Sequence, residues 1–209
     1  LTASAVEGVL AVLKARQAVT EKVQTHLMDK AQDVAQIVDG KILQWFQFLE
    51  GIARMPLLSN STATYEQKLR LLAQEAAFDK DITYLLIADT KGNLYLPDGR
   101  IQDVNYIGWM KKTSTKNYIS EPFNSKIWNK LLIAITVPIY NENKNVIGTL
   151  VALTDGLMFC EETKNITVGQ TGYCYLIDGN GITIAEKDTS LVTRFENAQE
   201  SVKTDPSLA

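Results

Sequence analysis

Apolar residues recur at helical spacing from the start of the chain: Val6, Leu10, Leu13, Val19, Val23, Leu27, Ala31, Val34, Val38, Ile42, Trp45, Leu49 and Ile52. Steps of three and four with no proline before Pro56 predict one helix, or two interrupted near Gly40. At about 1.5 Å per residue it would run on the order of 80 Å, more than a compact body of this size needs. Its first half mixes Glu21, Lys22, Asp29 and Lys30 with a single apolar stripe. Trp45, Phe46, Phe48 and Leu49 nearly encircle the second half, which should therefore be buried more deeply. A jutting helix needs something to pair with, and a second copy of the chain or the rest of this fold would serve.

Past the polar run Ser59 to Thr62, Glu66 to Ala77 predicts a second helix. The period then changes from helix to strand. Ile82 to Ala88 and Asn93 to Leu96 are strands joined by the turn Asp89-Thr90-Lys91-Gly92. Ile107 to Thr115 reads as a short helix, Tyr118 to Glu121 as extended chain, and Leu131 to Tyr140 and Val146 to Thr154 as two apolar strands. The expectation is an α+β fold built on a five-strand antiparallel sheet. One hairpin repeats: Tyr84-x4-Asp89-x2-Gly92 returns as Tyr173-x4-Asp178-x2-Gly181, each followed by a short apolar strand. The first copy runs from Tyr84 to about Asp155, whereas the second has only Tyr173 to Ala209 and stops about halfway.

The 209 residues, 45% apolar, suffice for a real core. A formal charge of −3 creates no basic field to hold nucleic acid. No stretch approaches about 18 consecutive apolar residues, so nothing reads as a membrane span. The chain opens on Leu1 and is already helix-forming, as a piece cut from a longer protein would be. Cys160 and Cys174 lack the spacing of a zinc or redox site and read as two small buried hydrophobes, with one disulfide open in an oxidising compartment. The one histidine, His26, sits mid-helix with no nucleophile-base order near it, and the Asp residues at 79, 81, 89 and 98 are explained by turns and caps. The G-x-G at Gly179 to Gly181 is part of a hairpin, with no helix after it to hold a phosphate. No catalytic residue, metal ligand or cofactor is therefore assigned, and the chain does not read as an enzyme.

A long helix followed by two D-x-x-G hairpin units resembles the double Cache sensor module, the paired PAS-like domains on the outside of bacterial chemoreceptors and other transmembrane signalling proteins. The residues that carry the resemblance are IADTKGNLYLPDGR, WMKK, ISEPF, IAITVPIYNENKNVIGTLVAL and, most specifically, the G-x-T-G-Y segment Gly169 to Tyr173 leading into YLIDGNGITIAEKD. Glu186 stands where the family often has a histidine. The resemblance implies an N-terminal helix over 1–58, a membrane-distal PAS-like ligand-binding unit over 59–156, and a connecting helix with a partial membrane-proximal PAS-like unit over 157–209. It also implies an extracytoplasmic small-molecule sensor of a methyl-accepting chemotaxis protein, homodimeric in the full receptor and held in the cell membrane by flanking helices outside this sequence. A histidine kinase, a cyclic-dinucleotide enzyme, or a non-binding structural ectodomain are the alternatives.

In such modules the distal unit usually holds the ligand. Polar-tipped aromatics on irregular chain in this region suit stacking and hydrogen bonding to a small molecule. The candidates are Tyr95, Tyr106, Trp109, Tyr118, Phe123, Ser125, Trp128 and Asp155. Each has a plainer reading: Tyr95 as a core or surface tyrosine, Trp109 as a cap on the sheet, Trp128 as an exposed ring on a polar loop, Asp155 as the end of its strand. A carboxylate at Asp155 would suit a ligand ammonium. Amino-acid-binding members of the family place an Arg two residues before an aromatic pair, where this chain has Ile107 before Trp109 and Met110. The family's amine-gripping Asp would align with Leu153, or with Asp155 after a shift of two. A typical α-amino acid is then less expected than an amine, a nucleobase-like ring, or a carboxylate held by Lys111, Lys112 or backbone N–H groups.

Overall fold

The computed structural model describes residues 2–105, 107, 115–169 and 172–204, for residues 2–6 by their backbone alone. The apolar spacing of the first 50 residues produces one continuous helix, α1 (Thr2–Ala53), with no break at Gly40. Val34, Trp45, Leu49, Ile52 and Ala53 bury its lower face. The same stripe continues outward unburied, with Leu10 50%, Leu13 55% and Val23 51% exposed. Pro56, whose missing N–H costs nothing in a first turn, starts the single turn α2 (Pro56–Ser59). Thr64 and Gln67 form a reciprocal capping box that starts α3 (Tyr65–Ala76).

The strands β1 (Ile82–Ala88), β2 (Asn93–Tyr95), β3 (Ile101–Asp103), β4 (Tyr118–Ile119), β5 (Phe123–Ser125), β6 (Lys130–Tyr140) and β7 (Val146–Asp155) form one antiparallel sheet. Its order is β3-β2-β1-β7-β6-β4, with β5 also on β6. Seven strands replace the expected five because two short segments, β3 and β5, also pair at the margins. Asp98 accepts from the Arg100 N–H, Gly99 has φ +84°, and this turn folds β3 back on β2. Pro122, lacking a donor, separates β4 from β5, both of which pair with β6.

β6 and β7 are buried on both faces and so read as unbroken apolar runs. Their alternation still sorts the core into two layers. Ile133, Ile135, Val137, Leu150 and Ala152 face α1, together with Trp45 and Leu49. Leu132, Ala134, Val151 and Leu153 face the other way, towards Leu94, Leu96 and Val104.

α4 (Met158–Thr163) leads to two small hairpins, β8 (Thr167–Val168) with β9 (Gly172–Tyr173), and β10 (Leu176–Ile177) with β11 (Thr183–Ala185). The helices α5 (Thr189–Thr193) and α6 (Ala198–Thr204) follow. The repeat is real at the atomic level. Asp89 Oδ1 accepts from the N–H groups of Lys91 and Asn93, and Asp178 Oδ1 from those of Asn180 and Ile182, all at 2.8 to 2.9 Å. Gly92 and Gly181 hold φ near +80°, at +81° and +83°. A downstream asparagine closes each turn: Asn105 donates to the Lys91 carbonyl and Asn197 to the Asn180 carbonyl. Cys160 is buried, Cys174 is half-buried, and neither is in a disulfide. Burial pushes both thiols up.

Candidate ligand-binding site

The described residues do not completely cover the face of the sheet turned away from α1. Leu94 from β2, Val151 and Leu153 from β7 and Val104 after β3 floor a cavity of about 270 Å³. β5 and the turn after it form its wall, through Phe123, Asn124, Ser125, Lys126, Ile127 and Trp128. Trp128 is held by its ring stacked on Tyr84, with centroids 4.9 Å apart, and by its backbone N–H donating to Ser125 Oγ. Asn129 allows the tight reversal into β6 by taking a positive φ of 51°. Ser125 is itself buried. Lys126 is exposed at the rim and has no acidic partner within ion-pair distance among the described residues. No carboxylate appears among the described residues that line the cavity.

Of the sequence-derived candidates, Phe123, Ser125 and Trp128 come together here. Three others lie off the lining. Tyr95 turns towards α3 and stacks on Tyr65 with ring centroids 3.5 Å apart. Tyr118 is half-buried on β4, opposite Thr136. Asp155 is exposed at the end of β7, where its carboxylate accepts from the Leu157 N–H and shapes the turn into α4. Tyr106, Trp109, Lys111 and Lys112 lie outside the described residues, as does nearly all of the helix expected from Ile107 to Thr115. The residues that sequence reasoning missed as lining are mostly aliphatic: Leu94, Val104, Ile107, Val151 and Leu153. Period-two alternation in β2 and β7 places Leu94, Val151 and Leu153 on one sheet face, but nothing in the pattern says that the described residues leave a cavity over it.

Beside the cavity, Asp89 organises a second polar cluster. Burial raises its carboxyl, but hydrogen bonds from Asn93, the Lys91 N–H and Tyr95 outweigh that and hold it below the usual carboxylate range. Tyr95 is pushed up to about 12, first by burial and then by Tyr65 and Asp89. Lys68 is buried with its ammonium donating to the Leu58 carbonyl, and desolvation lowers its pKa.

The sequence matches the model of the Cache domain family over residues 15–206. The chain is a Cache domain. No curated protein matches it significantly. Among solved structures, the ligand-binding domain of the Pseudomonas aeruginosa amino acid chemoreceptor PctC, in complex with GABA, superposes with a TM-score of 0.67 at 16% identity, over 87% of this chain and 82% of that one. The ligand-binding domain of the Pseudomonas fluorescens chemoreceptor CtaA with L-isoleucine gives 0.64 at 18% identity, over 91% and 78%. That of Campylobacter jejuni Tlp3 with 4-methylisoleucine gives 0.61 at 14%, over 82% and 72%. This Cache domain thus shares its fold with ligand-binding domains of bacterial chemoreceptors. One expectation is corrected. A typical α-amino acid was the less expected ligand, yet the neighbours' complexes hold amino acids, with CtaA also seen with L-serine and L-leucine. The expectation leaned on single positions such as Ile107 and Leu153, and one changed contact does not exclude a ligand class that several groups hold together. No described helix is long and apolar enough to cross a membrane.

Proposed function

We propose that this Cache domain senses a small amphipathic carboxylate, an amino acid with an apolar side chain, in the cavity of its distal unit (59–156), as part of a membrane chemoreceptor. The single observation that carries the reading is the cavity of about 270 Å³ between the sheet and the β5 turn, where a spacer module would have packed side chains. Its floor of Leu94, Val151 and Leu153 suits a branched aliphatic group, and burying one such group is worth about 2 kcal/mol. Lys126 at the rim supplies a cation for a carboxylate, and Ser125 and Asn124 offer hydrogen bonds. The neighbouring receptors' amino acid complexes support the same class. Output would pass through α1, because Trp45, Leu49 and Ile52 pack on the opposite layer of the same sheet.

Calorimetric titration with isoleucine, leucine, asparagine and GABA tests the reading. Isoleucine or leucine should bind more tightly than asparagine, quench the Trp128 fluorescence and raise the thermal midpoint by mass action. Trp128→Ala should weaken that binding about tenfold or more, the loss of an aromatic wall. Binding of none of these compounds, or equal binding by Trp128→Ala, would overturn it.

A further inference from the structure

A second cleft, with no ligand site assigned to it, also borders β2. It measures about 370 Å³, more than the distal cavity, and opens between one face of α3 and the β2–β3 hairpin. Leu69 and Ala73 from α3 and Leu96, Pro97 and Ile101 from the hairpin give it an apolar floor. Ile101 is left 59% exposed there, uncovered by any described residue to the extent a core side chain would be. One end is closed by the stacked rings of Tyr65 and Tyr95, with the Tyr95 hydroxyl donating to Asp89 Oδ2 at 3.3 Å. That end presents flat aromatic surface.

The charge of the cleft is uneven. Arg70 lines it from the helix and Arg100 from the hairpin, against one lining carboxylate, Glu66. Each guanidinium is steadied by a local acid through a single nitrogen: Arg70 Nη2 to Glu66 at 2.6 Å, and Arg100 Nε to Asp98 at 2.7 Å. Those two bonds leave most of the ten side-chain N–H donors of an arginine pair available, and a planar carboxylate is the group that matches such forks. A bare anion would use the arginines but leave the apolar floor wet. A neutral ring would use the floor but not the arginines.

We infer that the cleft between α3 and the β2–β3 hairpin is a second binding site, for a carboxylate carried on a flat apolar body such as an aromatic acid. The arginines grip the carboxylate and the ring lies against Leu69, Ala73 and Ile101. Leu94 and Tyr95 are neighbours on β2, one facing the distal cavity and the other ending this cleft, so the two sites share a strand.

The probes are benzoate and phenylacetate, titrated into the purified chain by NMR, with acetate and benzyl alcohol as controls. Benzoate should shift the ring resonances of Tyr65 and Tyr95 saturably, and the exposed double variant Arg70→Gln/Arg100→Gln should lose about tenfold or more in affinity while keeping its thermal midpoint. Acetate and benzyl alcohol should each bind more weakly than benzoate. The inference is overturned if the tyrosine resonances do not move, if the double variant binds benzoate as well as the parent, if benzyl alcohol matches benzoate, or if only the Trp128 indole responds.

Discussion

Tyr95 shows how one residue's role depends on which way its strand turns it. Its aromatic ring and polar tip suggested a ligand contact, and its position one residue from Leu94 on a period-two strand puts it on the opposite side of the sheet from the distal cavity. There it stacks on Tyr65 and shares Asp89, so its hydroxyl is held protonated up to about 12. The unfolded chain releases that proton near pH 10, the folded chain about two units later. The folded state therefore binds more protons in that window, and stability fully present below pH 10 is lost as pH rises through 12. Tyr95→Phe removes this term, so chemical denaturation between pH 10 and 12 should show a shallower alkaline loss than the parent. An identical slope would mean that Tyr95 ionises normally. Gly92 and Gly181 illustrate the opposite case, where one residue was fully readable: D-x-x-G demands a positive φ at its glycine, and both adopt it.

At the level of elements, α1 joins two different environments in one regular helix. The half from Val38 onward packs on the sheet, with Leu49 fully buried in one cluster with Trp45 and the β6 residues Ile133 and Ile135. The outer half shows the same spacing, but Val19 is 62% exposed. Periodicity is therefore evidence of a helix with an apolar side and not of what that side touches. Leu49→Ala should cost about 2 to 5 kcal/mol through lost contacts and a residual cavity, whereas Val19→Ala should change unfolding by less than about 0.5 kcal/mol. A large cost at Val19 in urea denaturation of this chain would show that the outer stripe is covered after all. The marginal strands β3 and β5 were hidden for a related reason. Three residues carry too little alternation to register, and they exist because β2 and β6 offer them unpaired edges.

Across the whole molecule, a single apolar cluster crosses the boundary between the two repeated units. Ala185 and Val192 of the second unit lie in the same cluster as Leu49, Ile133 and Phe159. Lys41 adds a polar link, 3.5 Å from Asp81 at the entry to β1 and 3.8 Å from Glu162 on α4, with its ammonium over the Trp45 ring. Long, half-exposed pairs of this kind add little stability, so the apolar cluster carries most of the coupling. Unfolding should then be one transition. Val192→Ala, a cavity in the second unit, should lower the midpoint seen by tryptophan fluorescence and by circular dichroism equally. Two separated transitions, with fluorescence unmoved, would make the second unit an independent appendage.

By itself the sequence determined the long helix, the four principal strands, the duplicated hairpin and the Cache family, because periodicity, turn chemistry and the G-x-T-G-Y segment are local properties that a chain carries along its length. It also named Phe123, Ser125 and Trp128, which line one cavity of the structure. Only the tertiary structure decided that Leu94, Val151 and Leu153 floor a cavity, that Tyr95 and Asp155 serve turns and stacking instead, and that Arg70 meets Arg100 across a cleft. A cavity is a place where residues distant in the chain fail to fill space between them, and no single segment records that failure.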